Sequence, residues 1–373
     1  MLGITPIKNV DNYCYLGIIF HKSGTFRAAN AELRAKALRA LYGLKGNIIK
    51  NALSYKSLIS LFDCLVKPIL LYGCQVLTPH SKTVNYIARI NDESDPTATL
   101  KYLAQDHYEK FHLKFLKWTL SVHSKASNVG CWGETGRHPL IYEALKLSID
   151  YFFRVKHSTH VLVSAAFQEQ ADLDLPWFSN TSKILDKFRC SSHNPKAKVS
   201  TSTAHSMREE FVSMWKLTKA SSPKLNFYHQ IKHEFLPEKY LSLVKSPEAR
   251  NSLTRFRISS HNLFIERGRY ETPIIPRENR WCLHCYFTTG VKTLEDEIHA
   301  LAICPLYNVV RGRFGFSPDQ NELIDSLSDQ SLTPARATTI AKTIHAILSI
   351  NEKHVEYYKS PHFHNNCGSC VIL

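Results

Sequence analysis

The sequence predicts a mainly α-helical protein: a helical region after a short β segment, then a small helical module built around cysteines and a histidine. Three observations carry that expectation. Apolar residues recur three and four apart through several long windows, the spacing of a buried helix face. Strand character is concentrated near the N-terminus. Cysteine and histidine cluster between residues 282 and 304.

Residues 13–20, Tyr13-Cys14-Tyr15-Leu16-Gly17-Ile18-Ile19-Phe20, are aromatic and β-branched and read as a buried strand. His21-Lys22-Ser23-Gly24 reads as a turn. Over 26–45, Leu33, Ala37, Ala40, Leu41 and Leu44 share one helical face, with Arg27, Arg34 and Lys45 beside it. Residues 55–75 continue the pattern through Leu58, Leu61, Phe62, Leu65 and Val66, and Pro68 is expected to kink or break that helix. Residues 90–98 are acidic and turn-rich and read as a loop.

Residues 106–121 read as a helix in which Phe111, Phe115 and Trp118 form one stripe and Lys110, Lys114 and Lys117 the next. An aromatic core face with a basic rim is the simpler reading, and a stacking platform for bases is the other. Residues 133–139 read as a turn, with Pro139 opening a helix to about residue 155. Residues 191–206 are rich in Ser, Thr, Lys, Asn and His and read as a linker. Helical patterns resume over 207–246. Ser317-Pro318 and Thr333-Pro334 read as helix starts, and Ile340, Ile344 and Ile347 as the buried face of the last helix. The expected organisation is 1–190, a linker at 191–206, a basic helical region at 207–280, and a terminal module at 281–373.

Lys and Arg number 47 and Asp and Glu 32, a formal net charge of +15. Residues 1–50 and 151–280 carry the excess, while 281–373 are slightly acidic. A polyanion partner therefore belongs upstream of Trp281, although surplus lysine is also ordinary solubilising surface. No long uncharged apolar run exists, so no membrane span is expected. Met1-Leu2-Gly3-Ile4-Thr5-Pro6 lacks a basic stretch ahead of an apolar core, so no secretory signal is expected. Ten cysteines in 373 residues are too sparse for a disulfide scaffold, which suits a reducing compartment, nucleus or cytoplasm.

Cys282, Cys285, His299 and Cys304 have the spacing of ligands to one ion. Two residues between Cys282 and Cys285 let both thiolates face it from a tight knuckle, and His299 and Cys304 close the set from a helix end. Three thiolates and an imidazole complete a tetrahedral zinc site with no open position, which is structural. Glu295, four residues before His299, is expected to hold the far imidazole nitrogen. Small buried cysteines with a satisfied histidine are the alternative. Cys14, Cys64, Cys74, Cys131 and Cys190 stand singly and read as core packing.

Upstream, residues 250–280 contain seven Arg and no Lys, interleaved with Phe256, Phe264, Tyr270 and Trp281. Guanidinium forks suit phosphates and aromatic rings suit bases. The expected nucleic-acid-binding residues are Arg27, Arg34, Lys110, Lys114, Lys117, Arg255, Arg257, Arg267, Arg269 and Arg280. Glu266, Glu271 and Glu278 lie among them, so internal pairing competes.

Cys370-Val371-Ile372-Leu373 fits a prenylation signal, with Cys367 as a second lipidation candidate. His362, His364, Cys367 and Cys370 also suit a second metal site, and an unused tail is the third reading. Membrane contact is expected only if Cys370 is prenylated. The sequence has no Asp-Asp dipeptide, no H-E-x-x-H, no G-x-S-x-G and no P-loop. No catalytic residue and no small-molecule substrate are therefore expected.

These segments resemble a known family. Tyr15-Leu16-Gly17-Ile18 and the helix after it are similar to the stretch following the palm in reverse transcriptases of non-LTR (LINE-type) retrotransposons. Leu65-Val66-Lys67-Pro68-Ile69-Leu70-Leu71-Tyr72-Gly73-Cys74 resembles their thumb helix, and Lys117-Trp118 with Gly133-Glu134-Thr135-Gly136-Arg137-His138-Pro139-Leu140 the part that follows. Arg255-Phe256-Arg257, Ile265-Glu266-Arg267-Gly268-Arg269-Tyr270 and the Cys/His knuckle resemble the terminal module. The resemblance implies a thumb-like helical region over 1–190, a zinc-knuckle module after 281, and RNA or DNA as partner. The paired catalytic aspartates are absent, so the expectation is a truncated, retrotransposon-derived protein that binds nucleic acid without polymerase activity of its own. A protein-interaction scaffold and an inert element fragment are the alternatives.

Overall fold

The computed structural model describes residues 9–48, 53–91, 93–188, 199–315, 319–328 and 332–359. The chain is mainly α-helical, and the described residues hold one two-stranded sheet. Two compact units form. One comprises Met1–Phe115 with His138–Trp215, the other Leu116–Arg137 with Lys216–Leu373.

The first unit begins with β1 (Asn12–Tyr15) and β2 (Ile18–His21), an antiparallel hairpin with Tyr13 opposite Phe20 and Tyr15 opposite Ile18. The expected buried strand is thus two short strands. Leu16 at φ 47° and Gly17 at φ 82° turn the chain, as a two-residue hairpin loop requires. The Tyr72 hydroxyl donates to the Leu16 carbonyl at 2.5 Å and holds that turn. β1 is exposed throughout, and Ile18 packs against Ala29, Leu33 and Leu77.

Helix Arg27–Asn47 buries Ala29, Leu33, Ala37, Leu41 and Leu44 along one stripe. Helix Tyr55–Leu65 starts on Ser54, whose hydroxyl accepts from Ser57 N. It stops before Val66, and Pro68 lies early in the separate turn Lys67–Leu70, as the break required. The stretch read as a loop at 90–98 ends in a helix start: Asp95 accepts from Thr97 N and Ala98 N and caps Pro96–Leu103.

Phe115 on helix His107–Thr119 stacks on Phe62 with ring centroids 4.3 Å apart, so Phe111 and Phe115 of the aromatic stripe are core while Trp118 is half-buried. Glu109 on the same helix is buried, accepts from Leu140 N at 2.8 Å and lies 3.1 Å from His112 Nδ1. A carboxylate therefore sits at the start of helix Leu140–Lys156, where orphan amides and the helix dipole favour it.

Helix Val199–Ser221 begins inside the stretch read as a linker. Ser200, Thr203, Ala204, Met207 and Phe211 are buried along it. Small residues make the first turns of that stripe, so apolar content understates it. Residues 191–198 lie outside the described residues, and the two units divide within helices His107–Thr119 and Val199–Ser221 and between Arg137 and His138.

In the second unit, helix Asn128–Thr135 ends at Gly136, φ 61°, a left-handed cap. Residues 133–135, read as turn, are helical and buried. Helix Pro247–Arg257 packs on Pro334–Lys359, which buries Ile340, Ile344 and Ile347 as expected. No single helix among the described residues is long and apolar enough to cross a membrane. Ser317-Pro318, Cys190 and the Cys367 and Cys370 tail lie outside the described residues.

Candidate metal centre

Backbone geometry brings four side chains together in the second unit. Trp281 pairs with Leu294 as an isolated antiparallel bridge. Cys282 N donates to Thr293 O at 2.7 Å, and Glu295 N donates to Arg280 O at 2.9 Å. Cys282 then precedes helix Leu283–Thr289, which places Cys285 one turn along, and Gly290 at φ 72° ends it. Asp296 Oδ1 accepts from His299 N and opens the second half. There the chain forms a π-helical turn, His299–Ile303, closed by Cys304 N donating to His299 O at 2.8 Å. That wider turn brings residues five apart to one side, which an α-turn does not.

The result is a buried set in which the ligand atoms of Cys282, Cys285, His299 and Cys304 all lie within 4.8 Å of one another. Cys304 Sγ is 3.8 Å from Cys282 Sγ and 3.9 Å from Cys285 Sγ. Cys285 Sγ is 3.5 Å from His299 Nε2. The Cys304 thiol beside it and then burial hold Cys282 well above the ordinary thiol range, and burial pushes Cys285 up to about 11. Cys282 and Cys285 held up in this way ionise together only against a cation, and this cluster can hold a metal ion.

No known family model matches the chain, and neither a curated protein nor a solved structure does.

Glu295 does not do what its spacing suggested. It lies in the bridged segment ahead of the helix, so the one-turn offset to His299 does not apply. Its oxygens accept instead from Phe264 N at 2.8 Å and Asn351 Nδ2 at 2.6 Å. His299 Nδ1 is buried without a hydrogen-bond partner. Arg311, missed in the sequence, is buried and donates to the carbonyls of Ala300, Leu301 and Cys304, so it braces the ligand-bearing turn.

The basic residues divide by burial. Arg257 and Arg280, expected at phosphates, are core residues. Arg257 binds Glu134, Glu238 and the Leu327 carbonyl. Arg280 donates to the carbonyls of Ile265 and Ile275. Gly268 makes room for it, since a Cβ there would lie 2.9 Å from the Arg280 side chain. Arg267 lies over the Phe264 ring and 3.8 Å from Glu271, and Arg269 is 2.9 Å from Glu266. The competing internal pairs therefore take most of the arginine segment. Burial decided this, because a guanidinium that satisfies several carbonyls or carboxylates inside has none of its fork left for a ligand.

Arg27, Arg34, Lys110, Lys114 and Arg255 are exposed, and Lys117 is half-buried. In the first unit Lys114 Nζ donates to the Tyr42 hydroxyl at 2.6 Å and sits 4.7 Å from that ring. Lys45 is held below the ordinary lysine value by burial and then by Lys114. The fold thus joins the Arg27, Arg34 and Lys45 row to Lys114, a junction no local pattern reveals. In the second unit Lys117 Nζ donates to Ser124 O and Arg255 Nε to Ser121 O, so both clamp the same loop.

Proposed function

We propose that residues 280–311 form a structural zinc knuckle in a nucleic-acid-binding protein of the kind found at the C-terminal end of non-LTR retrotransposon reverse transcriptases. The observation that carries the zinc assignment is the ligand spacing. Bonds of about 2.3 Å to sulfur and about 2.0–2.1 Å to nitrogen on a tetrahedron set sulfurs about 3.8 Å apart and sulfur and nitrogen about 3.5 Å apart. Three of the six separations here are 3.8, 3.9 and 3.5 Å, and all six are within 4.8 Å. A Cys3His set is chemically suited to zinc and uses all four positions, so the ion would hold the fold rather than act on a substrate. Chain residues supply the rest: the π-turn sets the second ligand pair, and Arg311 and Asp296 fix its ends.

The nucleic-acid part rests on charge that remains at the surface. Arg27, Arg34, Lys110 and Lys114 are exposed, and Glu32, on the same helix as the first row, pairs with Lys36 and Arg39. A row of cations meeting Lys114 is a footprint for a phosphate backbone. Fluorescence anisotropy of labelled RNA and DNA against salt tests it. Binding that weakens steeply with salt supports the reading, and no binding at low salt rejects it.

A second reading, a protein-interaction scaffold, has one observation in its favour. Helix Val161–Asp172 buries none of its residues, and Val161 and Leu162 are 79% and 74% exposed. Capture of a defined partner that survives nuclease treatment, with no RNA or DNA bound by the pure chain, would select that reading.

A further inference from the structure

Tyr270 in the second unit is 44% exposed and has two lysines beside its ring. Lys125 Nζ lies 5.1 Å and Lys224 Nζ 5.6 Å from its ring centroid. Lys224 Nζ also donates to the Tyr270 hydroxyl at 3.1 Å, which places it toward the ring edge. His123 meets the ring edge-on at 6.1 Å. His123 and Lys125 belong to the loop that Lys117 and Arg255 clamp through the Ser124 and Ser121 carbonyls. Burial and then Lys224, Lys117 and Lys125 lower the His123 pKa, against Glu266 as the opposing charge. Glu266 is itself shared between Lys224, Arg269 and the Tyr270 hydroxyl. Two lysines beside one partly exposed ring, with Lys117 acting on the adjoining His123, outnumber Glu266 and leave positive charge in excess.

We propose that this cluster is a single-strand nucleic-acid site, in which an unpaired base stacks on Tyr270 and exposed Lys125 holds a flanking phosphate, with Lys117 and Lys224 adding positive charge beside it. The inference rests on the nucleic-acid reading above and deepens it by naming the strand type and the contact. An exposed ring edged by lysines offers both things a single strand presents, a bare base face and a charged backbone, whereas a duplex hides its base faces. An exposed ammonium over a tyrosine ring is weakly held and moves readily to a phosphate. The loop clamps keep Lys125 near the ring while its side chain stays exposed.

The test uses the full chain. Affinity for a labelled single-stranded oligonucleotide and for a duplex of the same length is measured for the parent, Tyr270→Phe, Tyr270→Leu and Lys125→Ala. Tyr270→Phe is expected to keep the affinity, because stacking needs the ring and not the hydroxyl. Tyr270→Leu is expected to lose roughly 10- to 100-fold on the single strand, with little change on the duplex. Lys125→Ala is expected to reduce the slope of log affinity against log salt by about 0.7. An iodouracil-substituted strand is expected to crosslink to the peptide containing Tyr270. Parent binding with unchanged affinity in Tyr270→Leu, or crosslinks that map only elsewhere, overturns this site and leaves the broader reading standing. No binding by the parent overturns both.

Discussion

Arg257 and Glu134 meet in the interior of the second unit, with Arg257 Nε 3.1 Å from each carboxylate oxygen of Glu134. Glu238 lies 3.1 Å from the same guanidinium and 2.5 Å from Lys232 Nζ. Burial opposes the Arg257 charge, but the carboxylates of Glu134 and Glu238 outweigh it and keep it protonated. The Tyr240 hydroxyl donates to Glu134 at 2.5 Å and lies 2.8 Å from the Thr254 hydroxyl. The centre of this unit is a buried ionic network.

Arg257→Leu leaves two buried carboxylates short of a cation. It is expected to destabilise the protein by about 3–5 kcal/mol, read as a shift in the denaturant midpoint. Glu134→Leu with Arg257→Leu removes both charges and is expected to cost less than the single change. A single variant with unchanged stability would show that this network is not holding the fold.

The ion is expected at one equivalent per chain by elemental analysis of protein purified without chelator. Cys304→Ser is expected to fall well below that and to melt earlier. Chelation of the parent is expected to alter the near-ultraviolet signal of Trp281, which adjoins Cys282. Parent protein with no metal under saturating zinc would refute the assignment.

His138 resists protonation. Burial, then Arg208, lowers its pKa to about 4. The unfolded chain takes up this proton near the ordinary value of about 6.5, and the folded chain does not until about pH 4. Its stabilising effect is therefore full above pH 6.5 and is lost as pH falls from 6.5 toward 4. His138→Gln is expected to flatten the decline of melting temperature across that window, whereas an equally steep decline would acquit His138.

Gly136 has φ 61°, and a Cβ there would lie 2.5 Å from Pro237 N and Cδ. Gly136→Ala adds left-handed strain to a collision with backbone, a loss of about 2–5 kcal/mol. Gly290 shares the left-handed φ but has nothing within 4 Å, so Gly290→Ala is expected to lose only the strain, about 1–2 kcal/mol. Equal effects in thermal melts would refute the steric part.

The simultaneous change of Arg27, Arg34, Lys110 and Lys114 to Ala is expected to weaken nucleic-acid binding and flatten its salt slope, by about 0.9 for each lost duplex phosphate contact. Their exposure predicts unchanged melting. An unchanged slope would remove the first unit from the interface.

The helices were legible where one face is wholly apolar, as with Leu33, Ala37, Leu41 and Leu44, or Ile340, Ile344 and Ile347. The four ligands were legible because their spacing is local. The hairpin was not, because Leu16 takes a left-handed turn position that favours Asn or Gly. The start of helix Val199–Ser221 was hidden by its small buried residues. The fate of the arginines was also hidden: Arg257 reaches Glu134, 123 positions away, and nothing near Arg257 in sequence announces that partner. Cys14 and Cys64, read as packing, are exposed, while Cys74 and Cys131 are buried as expected.

The two ends of the knuckle ligand set are only 22 positions apart, Cys282 to Cys304. Glu295, which sits between them, is bound by Asn351, 56 positions further on. A ribosome delivers these parts in that order. If these residues hold an ion, it would be captured as soon as Cys304 has emerged, and the segment around Glu295 would then stand ready to receive the final helix. Timing of synthesis, and not only affinity, would thus favour metal entry before the terminal helix folds.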